Sequence, residues 1–216
     1  MSFQVMIQQL AGGMLKSVEI FALTLLFALP LGLLVSFGRM SRNGIVRSIV
    51  WVYISIMRGT PLMLQLLAVY FGPYYIAGIK LGQAWRFTAI IIAFSINYAA
   101  YFAEIYRSGI ESMPPGQYEA ARILGYSKTS TFFRIIFPQV VKRILPAVTN
   151  EVITLVKDTS LAFSLAYAEM FTIAKQIAAK DKSFMPFLAA ALFYYLFNAI
   201  VAFGMERIEK SMDYYT

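Results

Sequence analysis

The chain has 216 residues, of which 59% are hydrophobic, 16% aromatic and only 14% charged, with a formal charge of +8 and a mean hydropathy of +0.65. Few soluble folds carry that balance, so the composition describes an integral membrane protein, all-α, long enough for about five spans of ~20 residues and without room for a second, soluble domain. Cysteine and histidine are absent, which excludes disulfides, a thiol nucleophile, a metal held by Cys or His and an imidazole base; the basic residues flank apolar runs, a pattern of membrane topology and not of nucleic-acid binding.

Residues 3–11 set Phe3, Met6, Ile7 and Leu10 at helical spacing against Gln4, Gln8 and Gln9, which predicts a short segment lying along a membrane surface. After Gly12 and Gly13, residues 14–38 are apolar apart from Lys16 and Glu19. At about 1.5 Å per residue this first predicted span exceeds the ~30 Å hydrocarbon thickness. It has no basic beginning and no small-residue cleavage site, so it does not read as a removed signal. Arg39, Arg42 and Arg47 crowd the next loop; the positive-inside rule puts that loop in the cytoplasm and the N-terminus outside.

The second predicted span covers about 48–71, opened by Trp51 and Tyr53 and closed by Tyr70 and Phe71. Inside it, Arg58-Gly59-Thr60-Pro61 reads either as a kink whose arginine snorkels to the surface or as a functional break. Residues 72–85 form a predicted outer loop. Span three, about 86–106, carries Asn97, Tyr101 and Glu104 on one helical face. A polar hairpin then runs from 116 to 138: helix formers around Glu119, Ala120 and Ala121, Gly125 to permit a positive φ, Ser127 to cap a second helix, and Pro138 to interrupt it.

Span four is predicted after Pro146, over about 147–166, with Asn150, Thr154, Asp158 and Leu161 on one face and Glu151 and Lys157 beside it. Asp158, Thr159 and Ser160 are poor helix residues in succession, so an unwound backbone there can meet a ligand. Residues 167–183 read as an outer segment, and 184–205 as span five, followed by the amphipathic Glu206–Lys210. Lys and Arg gather mainly on the side of the Arg39–Arg47 loop, which puts the end at Thr216 in the cytoplasm.

Glu119-Ala120-Ala121, three residues, Gly125, nine residues and Ile135-Ile136-Phe137-Pro138 together resemble the coupling loop of type I ATP-binding-cassette importer permeases, with Phe137 where the family has Leu. Arg58-Gly59-Thr60-Pro61-Leu62, the run from Ala103 to Ile110, and Pro146 to Leu161 are similar to its polar amino acid uptake branch. The resemblance implies a single permease domain over 1–216, with the hairpin at about 108–138 docking on a separate ATPase through Glu119, Ala120, Ala121, Gly125 and Pro138. It implies as partners a second permease subunit, identical or homologous, two ATPase subunits and an extracytoplasmic amino acid-binding protein, in a cell membrane. ATP and Mg would belong to the ATPase subunits: this chain has no phosphate-cradling G-x-x-x-x-G-K-[ST], no cofactor of its own and no enzyme motif.

The candidate substrate site is Asn97, Tyr101, Glu104, Asp158, Thr159 and Leu161, placed near mid-membrane between spans three and four. Carboxylates would meet an ammonium, and amide or backbone N–H groups a carboxylate. Two acids favour a basic substrate such as arginine. The other reading of Asp158 is a helix-holding pair with Lys157 or Arg58. A reading from another class is an ion- or proton-coupled carrier or channel using Glu104 and Asp158, which would have no need of a rigid docking hairpin.

Overall fold

The computed structural model describes residues 1–212; the end at Thr216 lies outside the described residues. In chain order the elements are α1 (Phe3–Arg39), α2 (Gly44–Gly59), α3 (Leu62–Ala77), α4 (Ala84–Glu111), α5 (Pro115–Ile123), α6 (Lys128–Thr131), a π turn (Phe132–Ile136), α7 (Phe137–Asp158), a 3-10 segment (Thr159–Leu165), α8 (Met170–Asp181) and α9 (Met185–Ser211). α4 is the axis of the bundle: Phe94, Tyr98 and Phe102 are fully packed, and the main core joins them to Ile20 of α1, Leu66 of α3 and Leu155 of α7.

The surface segment expected at 3–11 is instead the first turns of α1, which runs 37 residues without a break. Gly12 and Gly13 do not end a helix. A Cβ on Gly13 would sit 2.7 Å from the Cα of Met170, and one on Gly32 would sit 2.8 Å from the Cβ of Phe102. From Gly13 onward the buried face of α1 reads Gly13, Ser17, Ile20, Thr24, Ala28, Gly32 and Ser36, small residues apart from Ile20, which let α8 and α4 approach closely, as in membrane helix packing generally. The apolar residues Met6 and Leu10 are buried against Met170, Ala174, Ile177 and Ala190.

The second predicted span is two helices, α2 and α3, meeting at 113°. Pro61 has no N–H, and Thr60 is extended (φ −122°, ψ 148°), so the helical ladder ends there. The outer loop is correspondingly shorter than expected, because α3 continues to Ala77, where Gly78 closes it in the left-handed conformation.

The hairpin forms as predicted up to one point. Gly125 has φ +78°, and the Ser127 hydroxyl accepts from Ser130 N at 3.2 Å. Pro138, however, does not interrupt the second arm. Phe137 N–H donates to Phe132 O, five residues back, and the chain passes through a π turn directly into α7; the missing proline donor is absorbed as a helical bulge. Span four therefore begins well before Pro146, which sits inside α7. The outer segment at 167–183 is the packed helix α8, with Met170, Thr172, Ala174, Ile177 and Ala178 buried.

Among the described residues three helices, α1, α4 and α9, are long and apolar enough to cross a membrane, and the bent α2–α3 pair passes as a fourth. α7 carries Lys142, Arg143, Glu151, Lys157 and Asp158 and is too polar to join them, so length and composition support up to four crossings among the described residues where the sequence predicts five.

Candidate functional site

The break between α2 and α3 frees backbone carbonyls that water would satisfy in a soluble protein. Here two amides do so. Gln65 Nε2 lies 3.0 Å from Met57 O, 3.1 Å from Thr60 O and 2.8 Å from Thr60 Oγ1. Asn97 Nδ2 donates to Met57 O at 3.1 Å and to Gln65 Oε1 at 2.9 Å, and Asn97 is only 4% exposed. Both hydrogens of the Asn97 amide are thus engaged in pinning the break to α4.

One turn further along α4, Tyr101 lies beneath the guanidinium of Arg58, 5.4 Å from ring centroid to Cζ. Glu104 follows, and it is already paired: Arg107 Nη2 donates to Oε2 at 2.7 Å, Arg107 Nε is 3.2 Å from each oxygen, and Arg39 Nε is 3.9 Å from Oε1. Arg107 also bonds Glu111 at 2.5 Å. Glu104 therefore lies among the basic residues at one end of the bundle.

Asp158 is held from the opposite side. Its Oδ2 accepts from the hydroxyl of Tyr98, a core residue 2% exposed, at 2.7 Å. Neither Lys157 nor Arg58 forms an ion pair with it among the described residues. Thr159 is fully buried and donates to Val156 O at 2.8 Å, while Ser160 donates to Lys157 O at 2.8 Å. These hydroxyls bond to carbonyls three residues back, and the backbone tightens into a 3-10 helix over Thr159–Leu165 where the sequence predicts unwinding. Leu161 packs half-buried against the main core.

The six candidates thus occupy neighbouring elements without converging on one point. Tyr101 and Glu104 line a cavity of about 500 Å³ together with Arg58, Arg107, Arg143 and Glu151; Asp158, Thr159 and Leu161 lie on the 3-10 side of α7, and Asn97 serves the α2–α3 break. Sequence reasoning missed Gln65 and Tyr98, the partners of Asn97 and Asp158. A proline in a span implies an orphan carbonyl, so the amide at Gln65 could have been sought; Tyr98 gave no comparable signal. It also missed Glu169, fully buried at the N-cap of α8, which accepts from Phe171 N and Thr172 N at 2.7 Å and from Tyr194 Oη at 3.1 Å.

The hairpin presents its other residues outward. Glu119 and Ala120 are exposed and Ala121 is buried, while Ile123 is 86% and Leu124 73% exposed. Beside it, a cavity of about 730 Å³ is lined by Arg42, Tyr118, Arg122, Tyr126, Lys128 and Phe132. Among the described residues no three of Asp, Glu, His or Cys converge as a metal site.

The chain is an apolar helical bundle with polar side chains along α4 and an exposed helical hairpin. Residues 28–214 match the family model for the binding-protein-dependent transport system inner membrane component, and the chain belongs to that family. It is 34% identical over 209 residues to the L-cystine transport system permease protein TcyB of Bacillus subtilis (strain 168), covering 95% of this chain and 87% of that one. It is 35% identical over 201 residues to the putative glutamine transport system permease protein GlnP of Rickettsia conorii, covering 93% and 91%. Among solved structures it resembles that of an amino acid ABC transporter with histidines, at a TM-score of 0.86 and 30% identity over 98% of this chain and 99% of that one.

Proposed function

We propose that this chain is the permease subunit of an ATP-driven importer of a polar amino acid, working with a second permease subunit, two ATPase subunits that bind ATP and Mg, and an extracytoplasmic binding protein. The observation that carries it is the match over nearly the whole chain to a family whose relatives are named for cystine and glutamine transport. The exposed hairpin with its left-handed Gly125 supports docking on an ATPase through Glu119, Ala120, Ala121, Gly125 and Pro138. It argues against the carrier or channel alternative, which has no use for it. The gathering of Arg39, Arg42 and Arg107 toward one end supports a cytoplasmic hairpin and an N-terminus outside.

The substrate region is read as the inner face formed by α4 and the α7–3-10 junction, with Asn97, Tyr101, Glu104, Asp158, Thr159 and Leu161. Within it, Asn97 sets the geometry of the break and Glu104 is occupied by arginines, so Asp158 is the carboxylate best able to meet a cationic side chain. This keeps a basic amino acid such as arginine as the favoured substrate. The test is uptake of labelled L-arginine, L-glutamine and L-cystine into vesicles containing the complete complex. ATP-dependent uptake of arginine in preference to the others is expected, and Asp158→Asn should raise its half-saturation at least tenfold. Preference for glutamine or cystine would refute the basic specificity alone; uptake of none would refute the amino acid reading.

A further inference from the structure

We infer that the cavity between the α1–α2 loop and the hairpin is a binding site for the phosphate head group of an anionic phospholipid, held by Arg42, Arg122 and Lys128. The inference goes beyond the transport reading: it requires a chain embedded in a bilayer, and neither the transported solute nor the ATPase contact enters it.

The charges come from three separate stretches of chain. Arg42 follows α1, Arg122 lies in the last turn of α5 and Lys128 opens α6, yet all three line one cavity of about 730 Å³. Among the described residues none of them forms an ion pair, and no carboxylate lines the cavity. Arg39 and Arg107, at the same end of the bundle, behave differently: they share Glu104, and Arg107 also reaches Glu111. Cations gathered without a counter-ion repel one another, and an anion seated among them relieves that repulsion. Two guanidinium forks and an ammonium point charge suit the oxygens of a phosphate.

Position selects a lipid over a dissolved anion. Arg42 lies just beyond the end of α1, a helix long and apolar enough to cross a membrane, and just before α2, whose first turns expose Ile45 and Ile49. On the hairpin side of the cavity, the Phe132 ring meets Phe37 of α1 at 5.7 Å and Phe133 at 5.1 Å, and Phe133 is 57% exposed. The cavity therefore lies where apolar helix surface gives way to charge, the level of lipid head groups, and Phe37 and Phe133 extend apolar surface from its edge for the acyl chains. Tyr118 and Tyr126 line it with the aromatic residues favoured at that level. Basic pockets of this kind, at the membrane boundary between helices, suit acidic head groups. A free phosphate would meet the cations and leave the phenylalanines uncovered.

The cavity also stands apart from the residues proposed for the ATPase. Tyr118 and Arg122 are four residues apart and share one face of α5, whereas Glu119, Ala120 and Ile123 follow round the helix in steps of about 100° and lie on the next. A head group seated among Arg42, Arg122 and Lys128 ties the α1–α2 loop to both arms of the hairpin, so the hairpin's position responds to the lipid composition of the membrane.

The test titrates the complete detergent-solubilised complex with phosphatidylglycerol and with phosphatidylcholine of the same acyl chains, counting bound lipids by native mass spectrometry. A cation beside an acidic head group strengthens binding about fivefold, so three should favour phosphatidylglycerol about 100-fold. Replacing two of them, Arg42→Gln with Arg122→Gln, should lower the preference to about fivefold. Arg47→Gln with Arg134→Gln removes the same charge from exposed positions outside the cavity and should leave the preference within about threefold of native. Inorganic phosphate at the same concentration should displace no lipid. Because the preference is a ratio of two lipids on one sample, a variant that merely folds poorly leaves it unchanged. The site is overturned by an absent preference in the native complex, or by an unchanged one in Arg42→Gln with Arg122→Gln. Equal falls in the two double variants would mean diffuse surface attraction, and displacement by inorganic phosphate a soluble-anion site. A preference seen only after the ATPase is stripped away would put a partner subunit in the cavity. Each of these three results also refutes the lipid and leaves the transport reading standing, since uptake of amino acids tests that separately.

Discussion

Gln65 and Asn97 substitute for a backbone donor that Pro61 cannot supply. In hydrocarbon the carbonyls of Met57 and Thr60 have no water to turn to, so Gln65→Leu should destabilise the bundle by about 1 to 3 kcal/mol, the cost of a buried unsatisfied group. The loss should appear as a lower melting temperature in detergent, and Gln65→Glu should not restore it, because an ionised carboxylate brings no donors. Gly125 makes a different demand. It sits at φ +78° with open space around it, so Gly125→Val should cost about 1 to 3 kcal/mol of local strain and not a clash. The expected result is an assembled but poorly coupled complex, read as lost substrate stimulation of ATP hydrolysis; full coupling would remove the case for this turn. Gly125 was legible in the sequence because a helix end wants a left-handed residue. Asn97 was legible as an important polar residue, but its partners depend on a 113° bend that no helical periodicity encodes.

At the scale of elements, hydropathy found the apolar runs and misjudged their ends. α1 absorbs the supposed surface segment because a Gly-Gly pair can mean a hinge or a contact, and only the neighbour, Met170, decides which. The same ambiguity applies at Gly109, where a Cβ would meet Ile144 of α7. Gly109→Leu should push α4 and α7 apart and cost about 1 to 3 kcal/mol, the usual penalty of overpacking. Adding Ile144→Ala should recover part of the loss in thermal stability. Equal stability of Gly109→Leu and the native protein would show that this crossing is loose. α8 escaped detection because its buried face is made of short residues such as Thr172, Ala174 and Ala178, and its cap is a glutamate, an uncommon capping residue.

For the molecule as a whole, the absence of native cysteine makes topology directly measurable. A single cysteine near Met212 should resist an impermeant thiol reagent in intact cells and react once the membrane is opened, with the opposite pattern for one near Lys182. Labelling of the Met212 site in intact cells would invert the orientation proposed above.

The π turn at Phe132–Ile136 makes the second arm of the hairpin, α7 and the 3-10 segment one uninterrupted rod from Lys128 to Leu165. A torque applied at the hairpin therefore reaches Asp158 through continuous helix, and the wide turn holds its extra residue without turning one end against the other. A residue added to regular α-helix, by contrast, turns what lies beyond it by about 100°. Inserting one alanine between Thr129 and Ser130 should rotate the rest of the hairpin by that angle relative to the substrate face, while the apolar packing of α1, α4 and α9 stays as it is. The transmission would be intact and mistimed: an importer that assembles and hydrolyses ATP but whose hydrolysis no longer responds to substrate. Substrate-stimulated hydrolysis persisting in the insertion variant would mean that the two ends are not geared through this rod.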